Sequence, residues 1–260
     1  LTIAAGFLTG DAVVLCADSQ ETIGDYAKTT RQKIYTCNFN NAWRIGIVGA
    51  SDDATYVDLC QEELERRLCG FQISDFQGIL NEIKSVIYEV HSQHIWPRQR
   101  DDRPSVQLLI AIHGINQSLR ALFVSRNSTV LPVHESQTIG VGTYLADYLL
   151  SRIYPVGSIY NATTEEIART AIFVLDEVKS SIQGCDDETL LMIFQGDGRH
   201  RVMTAREVNE ISASFDVLYG VTVPVFRAIA SPSTDDEEFQ RRIRAFENAV
   251  AALRLRQRGG

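Results

Sequence analysis

Thr2 opens the first apolar run of the chain, Asp18 closes the second and Lys33 immediately precedes the third. A threonine hydroxyl is a weak nucleophile and acts only with a base within hydrogen-bond reach. A lysine ammonium held by a carboxylate can tune and orient such a base. Other reactive side chains form less coherent sets. His91 and His94 stand three residues apart on a predicted helix, but no carboxylate or cysteine completes a site nearby, so they read as solvated side chains and no metal is expected. Cys16, Cys37, Cys60, Cys69 and Cys185 are odd in number and lack C-x-x-C spacing, which suits free thiols in a reducing compartment. Cys16 and Cys60 fall on apolar faces and read as core residues.

The chain has 260 residues, 45% of them hydrophobic and with a formal charge of −8. That length favours one domain, and the acidic balance argues against general affinity for nucleic acid. No uninterrupted apolar run approaches the ~18 residues needed to span a bilayer, and no charged segment precedes an apolar one at the start. The sequence therefore predicts a cytoplasmic protein with no membrane and no nucleic-acid partner.

The elements that must carry Thr2, Asp18 and Lys33 are short strands. Runs at 2–8 and 11–18 flank Thr9-Gly10, which predicts a hairpin with Gly10 supplying a permissive backbone. Runs at 33–39 and 42–49 flank Asn40-Asn41 in the same way. The period then changes. A helix is predicted over 52–69, stopped by Gly70, and a second starts at the capping-box pattern Ser74-x-x-Gln77 and ends before Pro97. Strands return at 105–113, 119–125 and 129–133. Ile139-Gly140-Val141-Gly142 leads into a helix at 143–153, and Thr163-x-x-Glu166 caps another. A short strand at 190–194 and a last helix from about Ser233, acidic at its start and ending in Arg254, Arg256 and Arg258, complete the chain. Strand blocks and helix blocks are segregated, which argues against a doubly wound fold. The order predicts an α+β four-layer αββα sandwich with two antiparallel sheets, one domain over 1–260, with 205–260 a C-terminal strand and helix extension.

Thr2-Ile-Ala-Ala-Gly6 followed by Asp11-Ala-Val-Val-Leu-Cys-Ala-Asp18 resembles the start of proteasome β-type subunits, members of the N-terminal-nucleophile hydrolases and of peptidase family T1, including their bacterial proteasome-like branches. In that family the mature chain reads T-T-x-x-G and then D/G-x-V-x-x-A-x-D/E. Lys33-Ile-Tyr35 is similar to the family's K-[IL]-x segment, and Ile45-Gly46-Ile47-Val48-Gly49 to its x-x-G-x-x-G segment before the first helix. The resemblance in element order covers about residues 2–195.

The resemblance implies a threonine peptidase without cofactor. Thr2 would be the nucleophile, its own α-amine the base, and Lys33 the cation that keeps that amine neutral by like-charge repulsion. Asp18 would hold Lys33, and Gly46 would offer its N–H to the oxyanion. Arg44 would line the specificity pocket with Glu21, Arg31 and Val48. Because the caspase-like eukaryotic subunit also has Arg at the position assigned to Arg44, an acidic P1 side chain is the expected substrate feature. Peptides or unfolded proteins would be the substrates, and a homo-oligomeric ring or stack the assembly. Alternatives are a catalytically silent structural subunit and an amidase acting on a small amide.

Three departures from the family pattern bear on activity. Leu1 precedes Thr2, and an acylated nitrogen is no base. The D-x-x-S-G segment is replaced around Ser181–Gly184, followed by Asp186 and Asp187. The family's G-S-G step becomes Gly140-Val141-Gly142.

Overall fold

The computed structural model describes residues 2–23, 27–39, 42–70, 75–115, 119–182, 185, 188–231 and 233–258. They form two compact units, divided between Ala205 and Arg206.

The first unit opens with β1 (Ile3–Leu8) and β2 (Ala12–Asp18), a hairpin in which Ala4 faces Ala17 and Leu8 faces Val13. Its turn is not held by a left-handed glycine, because Gly10 lacks a positive φ. Instead Thr9 Oγ1 accepts from Ala12 N at 2.9 Å and donates to Asp11 Oδ1 at 2.7 Å, an arrangement typical of side chains that mimic backbone in turns. A small hairpin, β3 (Gln20–Ile23) and β4 (Ala27–Thr30), interrupts the anticipated order before β5 (Ile34–Phe39) and β6 (Trp43–Ser51). The Asn40-Asn41 turn lies outside the described residues.

Helices α1 (Ala54–Gly70) and α2 (Phe76–Val90) follow, then β7 (Val106–Gly114), β8 (Arg120–Arg126), β9 (Thr129–Val133) and β10 (Ser136–Gly140). Helices α3 (Thr143–Ile153) and α4 (Thr164–Ser181), then β11 (Thr189–Gln195) and β12 (His200–Val202), complete this unit. The cap of α2 is Asp75, whose carboxylate accepts from Gly78 N at 2.7 Å; the proposed capping residue Ser74 lies outside the described residues. Thr163 caps α4 as its sequence implied, accepting from Glu166 N.

Among the described residues the larger sheets have the orders β10-β1-β2-β11-β12 and β5-β6-β7-β8-β9, with every pairing antiparallel. Alternation along the strands builds the layers. Leu15, Val48, Leu109, Ala111, Leu122 and Phe194 fill the space between sheets. Ile45, Ile47, Leu108, Ile110 and Ile112 point the other way and pack under Leu64, Ile79, Ile83 and Ile87 of α1 and α2. Helix α4 covers β2 and β11 from outside. The result is the anticipated αββα sandwich.

His91 departs from its sequence reading. It begins a π turn after α2, is only 1% exposed, and burial holds its imidazole below the ordinary pKa; His94 is exposed. Among the described residues no cluster of three metal-ligating side chains exists. Cys16 and Cys60 are core thiols that burial pushes up to about 12.

The second unit contains α5 (Ala205–Ala230) and α6 (Asp236–Arg258), so a helix stands where a strand was anticipated. Asp235 caps α6 through Glu238 N, and Arg242 of α6 donates to the Pro224 carbonyl of α5 at 3.0 Å. By length and composition alone α5 could cross a membrane, although Asp216 and Arg227 interrupt its apolar residues.

Candidate active site

The β1–β2 register places the start of β1 beside the end of β2. Ile3 N donates to Asp18 Oδ1 at 3.0 Å, tying the carboxylate to the backbone next to Thr2. Lys33 enters from the other sheet, one residue before β5. Its Nζ lies 3.0 Å from Thr2 Oγ1 and 3.0 Å from each carboxylate oxygen of Asp18. An ammonium has three donors, and these three acceptors converge on it. Asp18 is fully buried and Lys33 is 7% exposed. Burial raises the Asp18 carboxyl above its ordinary value, opposed by the Lys33 ammonium and by the Ile3 N–H.

Thr2 precedes the first strand-paired residue, and its carbonyl is tethered by Val141 N at 2.9 Å. Gly140 makes that approach possible. It pairs with Ile3, has φ +90°, and any Cβ there would collide with the Thr2 carbonyl oxygen. Behind Asp18, Thr189 is its partner in the β2–β11 register; Lys179 Nζ donates to Thr189 Oγ1 at 2.7 Å and pairs with Asp176 at 2.9 Å.

Two cavities meet at Thr2. One, of about 70 Å³, is bordered by Arg31, Lys33, Tyr35, Gly49, Asp52 and Asp58 among others. Arg31 is held there by Asp58 of α1 and by Tyr35 Oη, to which its Nε donates at 3.3 Å. The other, of about 210 Å³, runs past Ser51, Asp52, Ser105, Gln107, Gly140 and Val141.

Thr2, Asp18, Lys33 and Arg31 thus come together as the sequence suggested, whereas three other assignments do not. Gly46 faces the space between sheets, where a Cβ would run into the Phe194 ring and Leu15; Gly49, of opposite parity on β6, borders the Thr2 cavity instead. Val48 is a core residue between the sheets. Arg44 lies five residues before Gly49, about 17 Å away along an extended strand. It donates to Asn38 Oδ1 at 2.6 Å and faces His113 in a polar row, Asn38, Arg44, His113 and Arg120, across β5 to β8. Glu21 pairs with Thr29 in the small hairpin, and its side chain lies outside the described residues. Leu1, Gly184, Asp186 and Asp187 lie outside them as well, while Ser181 is the exposed last residue of α4.

No protein-family model matches the sequence, and no match to a curated protein reaches significance. Solved structures do match. Anbu (ancestral beta-subunit) from Yersinia bercovieri superposes with a TM-score of 0.68 at 12% identity, covering 82% of this chain and 93% of that one. The chain has the proteasome-like fold of the Anbu structures, two antiparallel five-stranded sheets flanked by helices. Anbu from Hyphomicrobium sp. strain MC1 gives 0.68 at 11% identity over 90% and 99% of the two chains. The helical assembly of the Anbu complex from Pseudomonas aeruginosa gives 0.67 at 13% identity over 91% and 99%. Within this proteasome-like fold, the convergence of Thr2, Asp18 and Lys33 is a property of the present chain.

Proposed function

We propose that this chain is a threonine-type peptidase acting through Thr2 once everything before that residue has been removed. The observation that carries the reading is the Lys33 ammonium poised between Thr2 Oγ1 and the buried Asp18 carboxylate. A free Thr2 α-amine beside that ammonium would be disfavoured in its charged form, leaving it neutral near pH 7. The amine then accepts the Oγ1 proton as Oγ1 attacks a peptide carbonyl. Gly49, the glycine bordering the cavity, is the candidate donor to the tetrahedral oxyanion, the role first assigned to Gly46. Collapse expels the amine of the product, which takes the proton back, and leaves an ester on Thr2. Water, deprotonated by the same amine, hydrolyses that ester and regenerates the hydroxyl.

The experiment is intact mass of the native protein combined with labelling by a β-lactone or epoxyketone. A chain beginning at Thr2 that gains one probe, and a Thr2→Ala variant that gains none, are the expected results. A native chain that keeps a residue before Thr2 and refuses the probe would make it a scaffold subunit.

The proposal extends to a homo-oligomeric, cytoplasmic peptidase of peptides or unfolded proteins. Two observations support the assembly: the matched Anbu complex from Pseudomonas aeruginosa is a helical assembly, and Val217, Val223, Phe226 and Ile229 of α5 are exposed here. Light scattering with cell fractionation tests it. Monomers in solution, or recovery with membranes, would refute it.

A further inference from the structure

Gln107 is on β7, opposite Ala50 of β6, with the parity that faces the other sheet. Its side chain crosses to the end of β10, where Gln107 Oε1 accepts from Gly140 N at 3.1 Å. The direction of that bond is fixed, because a backbone N–H can only donate, so the carbonyl end of the amide must face Gly140. The next residue, Val141, supplies the N–H that holds the Thr2 carbonyl. Since β1 begins at Ile3, Thr2 has no strand partner of its own. Its carbonyl is held by this turn, and Gly140, paired with Ile3 and bonded at its carbonyl by Thr143 Oγ1, takes its N–H bond from a side chain of the opposite sheet.

We propose that Gln107 is a positioning residue for Thr2. Through Gly140 and Val141 it fixes the main chain of the threonine from one side, while Lys33 holds the hydroxyl from the other. The inference rests on the reading of Thr2 as nucleophile, since positioning matters only where an atom must be aimed. Misplacing a reacting group by about 1 Å can cost about 100-fold in rate, and binding of substrate elsewhere in the groove need not change. Loss of the acceptor at Gln107 is therefore a kcat effect rather than a KM effect.

The test uses Gln107→Met, which keeps the length of the side chain without the acceptor, and Gln107→Glu, which keeps an acceptor at the same place. Amide exchange at Gly140 and Val141, the rate of Thr2 modification by a β-lactone, and kcat and KM on a fluorogenic peptide are measured for both. For Gln107→Met the expected results are faster exchange at Gly140 and Val141, modification and kcat lowered by at least about tenfold, and KM changed by less than about twofold. Gln107→Glu should return both rates to within about threefold of the original. Unchanged exchange in Gln107→Met overturns the proposal whatever the activity. Faster exchange with undiminished modification overturns it too, by showing that the turn does not aim Thr2. Should the unaltered protein and Thr2→Ala prove equally unreactive, the nucleophile assignment fails, and Gln107 as its positioning residue fails with it. That failure is told apart because it is read with Gln107 unchanged.

Discussion

Lys33 reaches both carboxylate oxygens of Asp18 at equal distance, 3.0 Å, with neither side chain appreciably exposed. A buried pair of this kind gives little net stability relative to an apolar pair of the same shape, but removing one partner strands the other charge. Lys33→Met should lower unfolding free energy by about 3 to 5 kcal/mol at pH 7. It should also abolish Thr2 modification. The double variant Lys33→Met, Asp18→Leu should recover part of that stability without recovering activity. Urea unfolding of the three proteins measures it, and strictly additive losses would show that the two charges are not coupled.

Burial places the Asp18 carboxyl above its ordinary value, and the consequence has opposite signs for folding and for activity. For folding, an acid with a raised native pKa contributes stability that is fully present below its unfolded value of about 3.9 and is lost as pH rises through the native value. For activity, only the ionised carboxylate holds Lys33. Thr2 modification should therefore fall on acidification through a pKa above about 3.9, before the protein unfolds. Stopped-flow labelling against pH, with circular dichroism on the same samples, checks this. An acid limb that coincides with unfolding would remove Asp18 from the account.

Gly140 combines a φ of +90° with a neighbour, the Thr2 carbonyl, lying where a Cβ would be. Gly140→Ala should cost about 1 to 3 kcal/mol from the backbone conformation alone, a fall of several degrees in Tm for a unit of this size. The clash should displace Thr2, so modification should fall by more than stability predicts. Gly157→Ala is the control: it shares a positive φ (+87°) but has open space around the added carbon, so it should lose stability and keep activity.

How much of this was legible in the sequence depends on the range of the information. Thr2, Asp18 and Lys33 flank the ends of β1, β2 and β5, so pairing the first two strands and facing the third against them brings the residues together, even with the β3–β4 hairpin between. The two glycines of Ile45-Gly46-Ile47-Val48-Gly49 are three apart and point to opposite faces. Which one meets the cavity is set by where β6 ends against α1, a tertiary fact. Gln107 and Thr189 join the site through pairings with β6 and β2, and no local pattern marks them. The β3–β4 hairpin is not legible because its residues are mostly polar, and α5 is not because Gly220, Pro224 and the valines between and around them look like strand and turn rather than helix.

Arg31, rather than Arg44, borders the cavity at Thr2, and that difference bears on which P1 side chain is preferred. Arg44 is close in sequence to the glycines of β6, yet its guanidinium is engaged by Asn38 on the polar row at the far end of the strand. Arg31 borders the Thr2 cavity and is fixed there by Asp58 and Tyr35. A guanidinium already paired with a carboxylate has much of its charge compensated, so it shapes the wall more than it attracts an anion. Asp58→Asn removes that carboxylate and so makes the cavity wall around Arg31 more positive. Across fluorogenic peptides ending in Glu, Leu and Arg, Asp58→Asn should shift preference toward Glu by about tenfold, the effect of about 1.4 kcal/mol. Arg31→Met should abolish that shift when added to it, and Arg44→Met should leave the ranking of the three peptides as it was. A ranking that moves with Arg44 and is indifferent to Arg31 and Asp58 would return the pocket to the position first inferred from the motif.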